Sequence, residues 1–68
     1  MKANHGDTIK YAHQKAGEEH EQICASQNLI LGCEYKVDFF VVGKIDSYVH
    51  LIGIPGRFNE LMFEKVLI

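Results

Sequence analysis

Two cysteines and four histidines are the side chains of this 68-residue chain best suited to do chemistry. His20 and Cys24 stand four apart on a predicted helix and share one face, and Cys33 follows shortly downstream. That spacing could gather ligands for zinc or set a thiol beside a base. Structural zinc takes four ligands, however, and the familiar Cys-x-x-Cys and His-x-x-x-His pairs are missing, so neither a metal nor another cofactor is expected. Acyl transfer or hydrolysis needs a nucleophile, a base and oxyanion donors converging in a pocket. Cys24 or Cys33 with His20 or His50, and Glu18 or Glu19 as the orienting carboxylate, is the best set on offer, and nothing in the spacing forces it together. His5 and His13 fall on other segments, where solvation or packing accounts for them. The glutamate pair and the Pro55-Gly56 loop also lack the Gly-rich strand-to-helix setting that cradles phosphate. The expectation is a protein with no catalytic residues.

Size and charge narrow the function further. A chain this short buries only about 60% of the surface its unfolded form exposes, which leaves stability marginal. Its apolar content is 47%, and without a metal or disulfide framework the remaining staple is association with another copy, so a homo-oligomer, with a dimer favoured, is expected. The formal net charge is −2, and the seven Lys and Arg are spread singly. Nucleic-acid affinity comes mostly from clustered cations that displace counterions, so nucleic acid is disfavoured as a partner. Residues 1–6 lack the apolar core of a secretory signal and no stretch is long enough to span a bilayer, so a soluble cytoplasmic chain without a membrane partner is expected. In that setting Cys24 and Cys33 should be free thiols.

The elements that must position these groups are short. Ile9 and Tyr11 alternate with Thr8, Lys10 and Ala12, the period of a half-buried strand over Asp7 to His13; the alternative is the start of a helix with Asp7 as its N-cap. Acidic residues after Gly17 favour a helix at about 18–27, with Ile23, Cys24, Gln27 and Ile30 as its buried stripe and Asn28 as a left-handed stop. From Glu34 to Val42 the alternation puts Tyr35, Val37, Phe39 and Val41 toward the core. Tyr48 to Ile54 is a strand holding Val49 and Leu51 inward, Pro55-Gly56 reads as a turn, and Leu61 to Ile68 as the last strand with Phe63 in the core. The reading is a single domain over 1–68, mainly β with one short helix, its four strands curled into a small, strongly bent antiparallel barrel that protects its edges. An α+β sandwich is the alternative.

Two residue sets carry the functional expectation. Phe40, Val42, Tyr48, His50 and Ile52 fall by alternation on the face opposite the core, where adjacent apolar side chains make a patch that a monomer seldom leaves wet. Either the helix covers this face or a subunit or protein partner does, with His50 adding pH sensitivity. Phe58 and Asn59, just after Pro55 and Gly56, read as structural: Phe58 plugs the open end of the barrel while the Asn59 side chain bonds free backbone groups at the bend.

Leu29-x-x-Gly32-x-x-Tyr35-x-Val37, Ser47-x-Val49-x-Leu51 and Pro55-x-x-Phe58-Asn59-x-x-x-Phe63-Glu64 together resemble a group of small uncharacterised SH3-like proteins commonly encoded by phages, prophages and other mobile elements. The resemblance runs from about Ile9 to Val66 and includes the helical insertion; Cys33 stands where the pattern more often has a charged residue. It implies an SH3-like barrel and no assigned activity. The first expectation is therefore a non-enzymatic, homo-oligomeric interaction module of mobile-element origin that binds a protein partner through its outer sheet face. The second is a small-ligand or nucleic-acid binder using Tyr48, Phe40 and Arg57 for stacking and phosphate contacts, and the third a thiol or histidine enzyme.

Overall fold

Alternation of Ile9 and Tyr11 with exposed neighbours builds the first strand, and both side chains are fully buried. The computed structural model describes residues 2–67. In chain order it forms β1 (Thr8–Tyr11), α1 (Glu19–Asn28), β2 (Glu34–Val41), β3 (Tyr48–Leu51), β4 (Ile54–Asn59), a 3-10 turn at Glu60–Met62 and β5 (Phe63–Lys65). All pairings are antiparallel, in the order β4-β3-β2-β1-β5. Among the described residues the protein is thus mainly β, with five strands in one sheet and one short helix, and the sheet is not closed, because no ladder joins β4 to β5.

β2 is where the sheet bends. Its first residues pair with β1, as in Ile9 opposite Tyr35, whereas from Val37 onward it pairs with β3. Val37 stands opposite Leu51 but Phe39 opposite His50, so Asp38 is an extra residue on β2. Such a bulge kinks the strand, increases its twist and re-phases every side chain beyond it. Core side chains come from both halves of the bent sheet: Ile9, Tyr11 and Phe63 from one, Val49, Leu51 and Phe58 from the other, with Val37 at the fold line. The rings of Phe58 and Phe63 meet edge to face at 6.4 Å, so the strands at the two ends of the sheet touch through side chains.

The bulge overturns two core assignments. Phe39 and Val41 are not buried but 49% and 43% exposed, and Phe40 instead packs against the core. Tyr35 is half-buried, and its hydroxyl accepts the Ile30 N–H at 2.8 Å.

The Pro55-Gly56 turn is also displaced. The β3–β4 hairpin turns at Ile52–Gly53, with Gly53 at φ +81° supplying the positive dihedral, while Pro55 and Gly56 lie within β4. Leu51 pairs with Ile54 and Val49 with Phe58, so β4 carries extra residues where Gly56 reaches φ +95°. An edge strand tolerates proline and a bulge, and both discourage further pairing. Phe58, buried opposite Val49, is therefore a core residue of a fifth strand and does not cap a barrel end. The last strand is shorter than the pattern suggests; its proposed end at Ile68 lies outside the described residues.

α1 begins in acidic residues that complement its positive end. Glu21 Oε1 accepts the Glu18 N–H at 2.8 Å, the return bond of a capping box. The buried residues at this helix are Ala25 and, at its C-terminal cap, Leu29; Ile23, Cys24, Gln27 and Ile30 are exposed. A small side chain lets the helix backbone sit close to the sheet, which a bulky stripe would prevent. Asn28 is not left-handed: its amide donates to the Cys24 carbonyl at 2.8 Å and the chain leaves the helix extended at Leu29.

Gly17, just before the helix, has φ +78°, and a Cβ there would lie 2.8 Å from Glu21 Oε1 and 3.3 Å from Asn59 Nδ2. Gly17→Ala is expected to cost about 1–2 kcal/mol from the left-handed backbone alone and more from displacing Glu21, lowering Tm by roughly 5–15 °C. Gly6→Ala, at φ +87° with nothing within 4 Å, carries only the backbone cost. Thermal melts followed by circular dichroism should separate the two.

Candidate functional site

Beyond the bulge, the outer face of β2 and β3 is built from cross-strand pairs. Phe39 stands opposite His50 and Val41 opposite Tyr48. The Phe39 and His50 rings stack with centroids 4.0 Å apart and planes 16° apart. Ile52 at the hairpin turn extends the surface, at 49% exposed. Of the five residues assigned to this face by alternation, Tyr48, His50 and Ile52 lie on it, Phe40 is turned inward, and Val42, past the end of β2 and in phase with Phe40, is 75% exposed. Phe39 and Val41 take the place of those two. No feature of β2 alone marks Asp38 as the extra residue, because Phe39 to Val42 are all apolar and fit either phase.

The helix borders this surface at Tyr48, beside Glu21, and leaves Phe39, Val41 and Ile52 exposed. It packs against β4, and between the two lies a cleft of about 370 Å³. Its helix wall presents Glu18, Glu21 and Cys24 and its sheet wall Tyr48, Arg57 and Phe58. The Arg57 guanidinium lies over the Tyr48 ring, 4.2 Å from its centroid. Phe40 is on the other side of the sheet, so Tyr48, Phe40 and Arg57 do not form one stacking platform.

Glu21 ties the cleft to the fold. Burial alone would raise its pKa, but the Glu18 N–H, the Asn59 amide at 3.4 Å and the neighbouring Tyr48 hydroxyl together hold its carboxyl below the usual value. Burial and then the Glu21 carboxylate push the Tyr48 hydroxyl up. Asn59 is 1% exposed, and its Oδ1 accepts the Leu61 N–H at 3.0 Å, capping the 3-10 turn.

The residues suited to thiol chemistry are only partly assembled. His20 and Cys24 both line the cleft, and His20 Nδ1 lies 3.4 Å from Glu18 Oε2. Among the described residues no hydrogen bond joins the exposed Cys24 thiol to the ring, and both partners of the His20–Glu18 pair are about three-quarters exposed. Cys33 precedes β2, outside the cleft, and His50 is stacked on Phe39. Among the described residues no three His, Cys, Asp or Glu side chains gather as metal ligands, and no helix is long and apolar enough to cross a membrane. No family model, curated relative or solved structure matches the chain.

Proposed function

We propose that the protein is a non-enzymatic interaction module that self-associates through the outer face of β2 and β3, leaving the remaining surface for a protein partner. The observation that carries this reading is the exposed, stacked Phe39–His50 pair flanked by Val41 and Ile52. No Asp, Glu, Lys or Arg interrupts these four positions, so a copy related by a two-fold axis meets the same surface without like-charge repulsion. A short chain with a small core also gains more from association than a large one does. We read the architecture as an SH3-like barrel; support comes from the strand order, in which the last strand returns beside the first after a single 3-10 turn, and from the Phe58–Phe63 contact across the open seam. A mobile-element origin rests on the sequence resemblance alone.

Phe39→Glu or Val41→Glu is expected to shift the solution mass from dimer to monomer in light scattering with the chain still folded, Tm falling only by what association contributed. Phe40→Glu, aimed at the core, should lower stability further, in monomer and dimer alike. A parent protein that is monomeric at high concentration, or a Phe39→Glu variant of unchanged mass, would defeat self-association through this face.

A further inference from the structure

The cleft between α1 and β4 has oppositely charged walls that do not neutralise one another. Arg57 stands on the sheet wall with its guanidinium over the Tyr48 ring, and among the described residues that guanidinium makes no ion pair or hydrogen bond. A guanidinium stacked on a ring keeps its N–H edges free and in plane, the fork that matches a carboxylate bidentately. Glu18 and Glu21 stand on the helix wall; Glu21 is fixed by the Glu18 N–H and the Asn59 amide, while Glu18 has one oxygen, Oε2, 3.4 Å from His20 Nδ1.

A simple anion drawn to Arg57 is repelled by two carboxylates, and a simple cation drawn to the carboxylates is repelled by Arg57. A small molecule carrying both charges is attracted by both walls. The cleft volume of about 370 Å³ lies in the range of small-molecule sites, and the exposed Cys24 and Pro55 add an apolar part to its lining. We propose that this cleft binds a free amino acid, its carboxylate on Arg57, its ammonium toward Glu18 and its side chain toward Cys24 and Pro55. This proposal is independent of self-association, since it uses neither Phe39 nor Val41.

The test is titration of the isotope-labelled protein with L-leucine, N-acetyl-leucine and leucine amide, followed by amide chemical shifts. Leucine is expected to give saturable shifts at Gly56, Arg57 and Cys24 below about 10 mM, and each singly charged derivative to bind at least about tenfold more weakly. Arg57→Gln should abolish the leucine shifts at unchanged Tm, and Glu18→Gln should weaken leucine while leaving N-acetyl-leucine no weaker than before. Absence of saturable shifts, or equal binding of either derivative to the parent protein, would overturn the proposal whether or not the variants fold.

Discussion

Truncating Ile9 to alanine is expected to cost about 2–5 kcal/mol, the range for deleting a buried aliphatic side chain whose cavity cannot fully collapse. Ile9 is fully buried in β1, the strand that pairs with both β2 and β5, opposite Tyr35 on one side and Lys65 on the other. Neither neighbour can move in without breaking a ladder. Domains of this size hold roughly 3–10 kcal/mol of total stability, so the variant should sit near its unfolding threshold. Ile45→Ala, at a position 94% exposed, should change stability by less than about 0.5 kcal/mol. Urea unfolding of the two variants checks this; similar midpoints would mean that β1 is not the central element of the core.

Asn59 should show the second large effect, through hydrogen bonds instead of volume. Its side chain caps the 3-10 turn with one atom and meets Glu21 with the other, while nearly all of it is buried. Asn59→Leu is expected to cost about 2–3 kcal/mol: about 1 from the lost cap and the rest from polar groups left without a partner. Asn59→Asp keeps the acceptor for Leu61 but sets a second carboxylate against Glu21. In the parent, the Glu21 pKa is lowered on folding. Its contribution is therefore present above the unfolded carboxylate pKa and is lost as pH falls through the folded value. In Asn59→Asp the two carboxylates repel when both are ionised, so acidification through the carboxylate range should narrow the gap to the parent. Tm measured from neutral to acid pH gives the sign, and a gap that widens on acidification would mean that the two carboxylates are not in contact.

Residue patterning by itself determined the mainly β character, the single helix near its observed bounds, and the inward placement of Ile9, Tyr11, Val37, Val49, Leu51 and Phe63. The cause is local: side chains in a strand alternate with period two, so a buried face is written in the nearest neighbours. What only the tertiary structure decided was the phase of β2 beyond Asp38, the site of the β3–β4 turn and the face by which α1 docks. Each depends on a partner distant in the chain. Whether a strand has an extra residue is defined only against the ladder of β3, and Pro55-Gly56 suits a tight turn and an edge bulge equally well until β3 fixes the register. The helix is nearly uniform in polarity, so Ala25 was chosen by close approach to the sheet and not by hydrophobic pattern. Both candidate sites belong to this second class: the Phe39–His50 stack follows from the bulge, and the cleft exists only where α1 meets β4.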